Sequence, residues 1–321
     1  MKIFRPLVLA ACALCLAAGA LAQGKFPSRS VILVVPYPAG GSNDIFARAL
    51  GKRLAEAWGQ PVVVDNRPGA GGTIGATTVS KAAPDGYTLM LLSSSFTTNA
   101  AIQTTLPFDP INGFTPIGMV AKGPMVLTVT NASAAKNLAE FLALAKSKPG
   151  VLNFGSSGQG STNQFATELL MNAAGIKMTH VPYKGMGPAT TDAIAGHIDV
   201  LMASAPSIMQ HVRAGKLRGL GVTSPGPSPV VPELPPISAT VPGYSFDLWW
   251  GVMAPPHLPP ELTTAINAEV NKILASAEMK EILAREGTEP APMSAEAFAA
   301  TIRTEIEQWR KVAARANIRP E

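Results

Sequence analysis

The chain has 321 residues, 26 Lys plus Arg against 21 Asp plus Glu, a formal net charge of +5, and only 15% charged against 47% hydrophobic residues. So thin a charge density, with no dense basic run, argues against nucleic-acid binding. Both cysteines, Cys12 and Cys15, sit near the N-terminus. The rest of the chain therefore has no disulfide, thiolate nucleophile or cysteine metal site.

Lys2 and Arg5 precede an apolar run from Leu7 to Leu21, and Ala20-Leu21-Ala22 is a small-x-small cleavage site. Residues 1–22 are thus expected to be a secretory signal peptide. A lipoprotein box at Leu9-Ala10-Ala11-Cys12 is the competing reading, with an unusually short hydrophobic region before Cys12. Roughly 300 residues follow the signal, enough for two lobes of ordinary domain size. No later apolar run is long enough to cross a bilayer, so an exported periplasmic protein is expected.

The mature chain opens on VILVVPYPAGGSND, Val31–Asp44. An apolar β-type run stops at Pro36, glycines follow, and Ser42 reads as the N-cap of a helix with apolar positions from Ile45 to Trp58. A glycine turn feeding a helix start leaves backbone N–H groups without internal partners, a geometry that suits an anion. The bland alternative is a tight βα turn. A second strand, Pro61–Asp65, enters the glycine turn Asn66–Gly72 and a helix from Thr73 to about Ala83. A third, Tyr87–Leu92, ends in a hydroxyl-rich loop, Ser93–Asn99. Strand and helix in alternation predict a parallel sheet with helices on both faces, and a ligand beyond the carboxyl ends of the strands.

Ile117–Ala121 and Met125–Thr130 read as two strands crossing to a second lobe. After a helix at Leu138–Lys146 the opening pattern recurs: strand Val151–Phe154, small-residue turn Gly155–Gly160, and Ser161-Thr162 capping a helix to about Ala174. Met178–Tyr183, Asp199–Met202 and Leu217–Thr223 are strands, with helices at Pro188–Ala195 and Ile208–Ala214 between them. Pro225–Gly243, dense in proline, is an extended surface crossover. Phe246–Ala254 is a strand returning to the first lobe, and Pro260–Ser276, Ala277–Arg285 and Ala295–Ala316 are amphipathic helices. The expected boundaries are 26–121 plus about 224–290 for lobe one, 122–223 for lobe two, and 291–321 for a C-terminal helix packing across both. Two lobes with repeated crossings make a hinged clamshell suited to capturing a solute.

Catalytic constellations are missing. His180, His197, His211 and His257 show no zinc-protease spacing and no visible partner set. Gly155–Ser161 fits no nucleophile-elbow register. Gly69–Ile74 misses the dinucleotide fingerprint, because Ile74 stands where its third glycine belongs. No enzyme activity, cofactor or metal is expected. What remains is a set of neutral donors at strand ends: the amides of Ala39–Asn43, the hydroxyls of Ser93–Ser95, and the amides and hydroxyls of Gly155–Thr162. A small carboxylate bridging two lobes is the natural ligand.

Several segments together, PSRSVILVVPYPAGGSND, QPVVVDNRPGAGGTIGA, KAAPDGYTLML, LPFDP, GFTPIGMVA, LNFGSSGQGST, HVPYKG, GHIDVLMA, AGKLRGLGVTS and VPGYSF, span essentially the whole mature chain. The chain resembles the periplasmic solute-binding proteins of tripartite tricarboxylate transporters, the TctC-like or Bug family. The resemblance implies an α/β, two-lobed, type II-like periplasmic binding protein with a parallel-type sheet in each lobe and a hinged cleft. It implies a carboxylate ligand, whether di- or tricarboxylate or aromatic acid, and a membrane permease partner; a monomer is expected. By resemblance, Tyr37, Ala39, Gly40, Gly41, Ser42, Asn43 and Asp44 hold carboxylate oxygens from one side. Gly155, Ser156, Ser157, Gly158, Gln159, Gly160, Ser161 and Thr162 hold them from the other. Ser93, Ser94, Ser95, Phe96, Tyr183, Ala203 and Ser204 shape the rest of the pocket. Many members carry an acidic residue and an asparagine about where Ala203-Ser204 stand, so an amino-acid ligand is disfavoured here. Two alternatives stay open: a sensor feeding a membrane signalling partner, and a secreted hydrolase or lyase relying on Asp44, the ionisable side chain within the two loops.

Overall fold

The computed structural model describes residues 26–319; the expected signal peptide at 1–22 lies outside them. Val31–Val35 (β1) is buried at all positions but Ile32, as a run of apolar β-formers between two neighbours should be. It pairs in parallel with Val62–Asn66 (β2) on one side and Thr88–Ser93 (β3) on the other. Asp247–Ala254 (β9) continues the sheet antiparallel to β3. A matching parallel set is built from Asn153–Ser156 (β5), Thr179–Pro182 (β6) and Val200–Ser204 (β7), with β5 between the other two.

The two sets are joined by one strand, where the sequence read two. Thr115–Thr130 (β4) runs unbroken for 16 residues. Its first part pairs with β9 from Thr115 to Pro124, and its second part pairs with β7 and with Leu217–Val222 (β8) from Met125 onward. The reason is that Lys122–Pro124 stay extended, which Gly123 and Pro124 both permit at a point where the strand changes partners. The strand order β2-β1-β3-β9-β4-β7-β5-β6 therefore forms one mixed sheet with a parallel set at either end. The two-lobed α/β architecture follows from that order, each lobe presenting the carboxyl ends of its parallel strands.

Two further expectations change. The hydroxyl-rich stretch after β3 is not a loop, because Ser95–Ile102 (α3) is helical. The Thr97 hydroxyl bonds back to the Ser94 carbonyl at 2.8 Å, satisfying locally what a loop would have left to solvent. In Ser42–Trp58 (α1) the N-cap is Gly41, and Ser42 is already the first helical residue. By contrast, Ser161 caps Thr162–Ala174 (α5) as expected, its side chain accepting from the Gln164 amide.

The C-terminal helix Ala295–Ala316 (α10) lies against α3, α5 and β4. Its Glu305 receives the Trp249 indole N–H at 2.9 Å and stands 2.8 Å from the Thr97 hydroxyl, fastening α3 to β9. One turn on, Trp309 is 5% exposed and sits between Phe165 of α5 (ring centroids 5.8 Å) and Phe246 (4.9 Å). This places one large ring between α5 and the chain entering β9. Truncating a buried tryptophan costs about 3–5 kcal/mol through lost burial and the cavity left behind. Trp309→Ala is expected to lower the unfolding free energy in urea by that order. A loss below about 1 kcal/mol would show that the helix adds little to the core.

Candidate functional site

The carboxyl ends of the two parallel sets face a cleft of about 570 Å³. Its upper wall is the Tyr37–Asn43 loop, which the sequence sets after a buried strand and before a helix. That loop is held from behind by a charge pair. Asp44 is buried, and Arg48 grips its two oxygens with Nε–Oδ2 at 3.0 Å and Nη2–Oδ1 at 2.9 Å. The Gly40 amide donates to the same carboxylate at 3.0 Å, and Gly40 itself needs its positive φ of 85°. Arg48 also reaches Asn66, whose side-chain amide donates to the Tyr37 carbonyl. Burial alone would raise the Asp44 pKa, but Arg48, the Gly40 amide and Asn66 outweigh it and hold the carboxyl below its ordinary 3.8.

Tyr37 rests its ring against Gly72, where a Cβ would lie 3.4 Å from it, so the glycine turn that missed the nucleotide fingerprint serves instead as the seat of a tyrosine. Its hydroxyl lies beside those of Ser93 and Ser95. Burial pushes its pKa up, more than those neighbours lower it, so it is a neutral donor at physiological pH. The Ser93 hydroxyl in turn donates to that of Ser95 at 3.3 Å.

On the opposite wall stand Ser157, Thr162 and Asn163. The Ser157 hydroxyl donates to Asn163 Oδ1 at 2.8 Å, and Asn163 Nδ2 donates to the Met202 carbonyl at 2.7 Å. Ser204 and Ser207 bond to each other at 2.9 Å and complete the polar lining. The floor and sides also carry Met125, Met186, Leu248 and Trp250, the last meeting Phe46 edge-on at 4.9 Å. The lining thus takes in the first turns of α1, α3, α5, Met186–Ala195 (α6) and, through Ser204 and Ser207, Ala205–Arg213 (α7). Among the lining residues there is no Lys, Arg, His, Asp or Glu.

Of the residues singled out in sequence, Tyr37, Ala39, Gly40, Gly41, Ser42, Asn43, Ser93, Ser95, Ser157, Thr162 and Ser204 line this cleft. The others do not. Asp44 is the buried clamp just described. Ser94 is buried and gives its amide to the Trp249 carbonyl at 3.0 Å. Phe96 packs against Phe108 and Phe114, at 6.1 and 5.6 Å between ring centroids. Gly155 and Ser156 are buried in β5, Gly158 and Gly160 shape the turn with positive φ, and Ser161 is occupied as a cap. Gln159 is exposed, and Gly160 gives its amide to Gln164 and is packed against Ile102 of α3. Tyr183 donates to Asp192 at 2.7 Å, and Ala203 is wholly buried within β7.

Met125, Asn163, Met186, Gly187, Ser207, Leu248 and Trp250 join the site unforeseen. Asn163 and Ser207 could have been found, since Asn163 follows Thr162 and Ser207 lies in the first helical turn after Ser204. Met125, Leu248 and Trp250 gave no signal, because in sequence they are ordinary apolar strand residues.

A two-lobed α/β chain with its cleft at the strand ends has the fold of the periplasmic binding proteins. The chain belongs to the tripartite tricarboxylate transporter family receptors, whose profile matches residues 46–318. It is 37% identical over 289 residues to the UPF0065 protein in the tcbD-tcbE intergenic region of Pseudomonas sp. strain P51, covering 89% of this chain and 86% of that one. Among solved structures it is similar to R. palustris Rpa4515 with adipate, at 36% identity and a TM-score of 0.84, over 92% of this chain and all (100%) of that one. It is also similar to MatC from Rhodopseudomonas palustris with bound malate, at 31% identity and a TM-score of 0.78, over 89% and 99% of the two chains. No helix among the described residues is long and apolar enough to cross a membrane.

The Asp44 clamp makes a pH prediction. A carboxyl whose folded pKa lies below 3.8 contributes stability that is complete above that value and is lost as pH falls through the lower folded value. Asp44→Asn is therefore expected to melt at a lower temperature than the wild type at pH 7. The gap should close as the pH is taken below about 3.8. Melting curves across pH 3–7 test it; a gap constant over that range would remove the carboxylate's charge from the account.

Proposed function

We propose that this chain is a periplasmic receptor that closes on a small organic dianion with an apolar middle and delivers it to a tripartite tricarboxylate-type permease. The observation that carries the reading is the cleft lining: converging helix N-termini and hydroxyls, without one charged side chain. Each helix N-terminus favours a negative charge by about 0.3–1 kcal/mol, or up to ~2 where partly buried. Hydrogen bonds to a charged group contribute about 1.5–3 kcal/mol each. Micromolar binding takes about 8 kcal/mol, so several such donors on two walls suffice for a dianion spanning them. With no carboxylate in the lining, a ligand ammonium would be left without a partner. Met125, Met186, Leu248 and Trp250 instead match a hydrocarbon or aromatic body between the two charged ends.

The proposed boundaries are residues 26–121 plus about 224–290 for the lobe carrying Tyr37–Asn43, and 122–223 for the lobe carrying Ser157–Asn163. Residues 291–321 would span both, and the chain would act as a monomer after loss of its leader. Closure is favoured only so far as the ligand touches both lobes. The hydrolase reading loses its acid, because Asp44 is committed to Arg48 and Gly40 behind the loop.

Ser42→Pro is the sharp test. The first helical position tolerates proline, and Gly41 ahead of it is already extended (φ −86°, ψ 171°), as a residue before proline should be. The substitution removes one amide donor and one hydroxyl from the wall and leaves the helix intact. Titration calorimetry with adipate should show binding to the wild type, weakened about tenfold or more in Ser42→Pro. Malate, whose hydroxyl would face the apolar floor, should bind more weakly than adipate. Equal adipate affinity in the variant and the wild type would move the ligand away from this loop.

A further inference from the structure

The Gly155–Ser161 turn brings Ser157 to the cleft while its neighbours Ser156 and Gly158 lie outside the lining. What holds that turn is a histidine on the edge of the sheet. His180 of β6 stands beside Phe154 in the parallel register, and its ring stacks on Phe154 at 4.9 Å and 23°. Phe154 and Ser156 are two residues apart in β5 and so share a face. The same ring therefore reaches Ser156, with Nε2 only 2.6 Å from the hydroxyl oxygen. Ser156 is wholly buried, and its oxygen also accepts the Gly158 N–H at 3.1 Å and donates to the Gly158 carbonyl at 3.0 Å.

Counting protons fixes the roles. A hydroxyl has one proton and two lone pairs. If Ser156 gives its proton to the Gly158 carbonyl, it accepts from the Gly158 amide and from His180 Nε2–H, and every site on the oxygen is filled. That requires a proton on Nε2, which in a neutral ring means the Nε2–H tautomer. Burial supplies the neutrality, lowering the His180 pKa to about 4.

We propose that His180 is a positioning residue for ligand capture: it saturates the Ser156 hydroxyl, which closes the Ser156–Gly158 turn around Ser157 and aims that residue at the cleft. It touches no ligand. Asn163 does the complementary task from the other side, receiving the Ser157 hydroxyl and tying it to β7. The inference rests on the cleft being the ligand site, but the turn's own order does not.

Three variants separate positioning from mere support of the fold. His180→Phe keeps the stack on Phe154 and removes the hydrogen bond. His180→Gln puts an amide N–H close to the place of Nε2. Ser156→Ala removes the shared oxygen. Amide hydrogen exchange in the ligand-free full chain should speed up about tenfold at Gly158 in His180→Phe, and stay within about threefold of wild type in His180→Gln. Adipate affinity should follow the same order, falling about tenfold in His180→Phe and recovering in His180→Gln. The double variant His180→Phe/Ser156→Ala should bind no worse than the weaker single one, because both remove the same contact. Wild-type exchange at Gly158 in His180→Phe, or additive losses in the double variant, would overturn the proposal. So would a lowered melting temperature with unchanged exchange and affinity. A wild type that binds no adipate would count against the proposed ligand alone, since the exchange comparison decides the role of His180 without it.

Discussion

One continuous strand, Thr115–Thr130, carries the geometry of this molecule. It gives its first half to β9 and its second half to β7 and β8, so both parallel strand sets hang from one backbone. The change of partners falls just past Lys122–Pro124, which still pair with β9, before Met125 opens the ladder with β7 and Val126 the ladder with β8. The ladder with β9 slips between Pro116 and Gly118 and again between Met119 and Ala121, and the ladder with β8 slips between Leu127 and Thr128. These irregularities twist the strand more strongly than a regular ladder would. The carboxyl ends of β1 and β3 and those of β5 and β7 open on a common space, the cleft.

Given the space, its chemistry follows from what a helix must leave undone. Each N-terminus has amides without acceptors, and here several first turns open on the same volume. A lysine or arginine would give a stronger point charge but would carry its own hydration and flexibility into the site. Fixed amides and hydroxyls need no such reorganisation. The one strong ion pair nearby, Asp44–Arg48, lies behind the wall, where it holds the Gly40 amide and leaves the loop's front face neutral. Charge is used for architecture, and dipoles are used for recognition.

The two walls are braced in comparable ways from different residues. On one side Asp44, Arg48 and Asn66 hold the Tyr37–Gly41 loop. On the other, His180 and Asn163 hold Ser156 and Ser157. Between them, α10 reaches across with Glu305 on α3 and β9 and Trp309 against α5. Each brace ties its loop or helix to a neighbouring element, and a loop held before any ligand arrives lowers the ordering cost of capture.

The sequence by itself determined the alternation of strands and helices and the two glycine-bearing loops, since each rests on local pattern: apolar runs and turn residues. It also carried the family resemblance. It could not show that Thr115–Thr130 is one strand, because Gly123-Pro124 reads as a break until pairing with Asp247–Leu248 of β9 keeps it extended. Nor could it show that Ser93–Asn99 turns helical, because hydroxyl residues favour loops unless their side chains bond back, as that of Thr97 does to Ser94. Within the loops, pattern named the right stretches but not which residues face the ligand. Ser157 points out while Ser156 points in, and Asp44 turns away while Ser42 does not, because register and ion pairing set those directions. Met125, Leu248 and Trp250 became cleft residues only through the sheet order, which sets β4 beside β9, far apart in sequence, in the middle of the sheet. Local chemistry is written residue by residue, whereas a site made from seven segments is decided by the long-range pairing that assembles them.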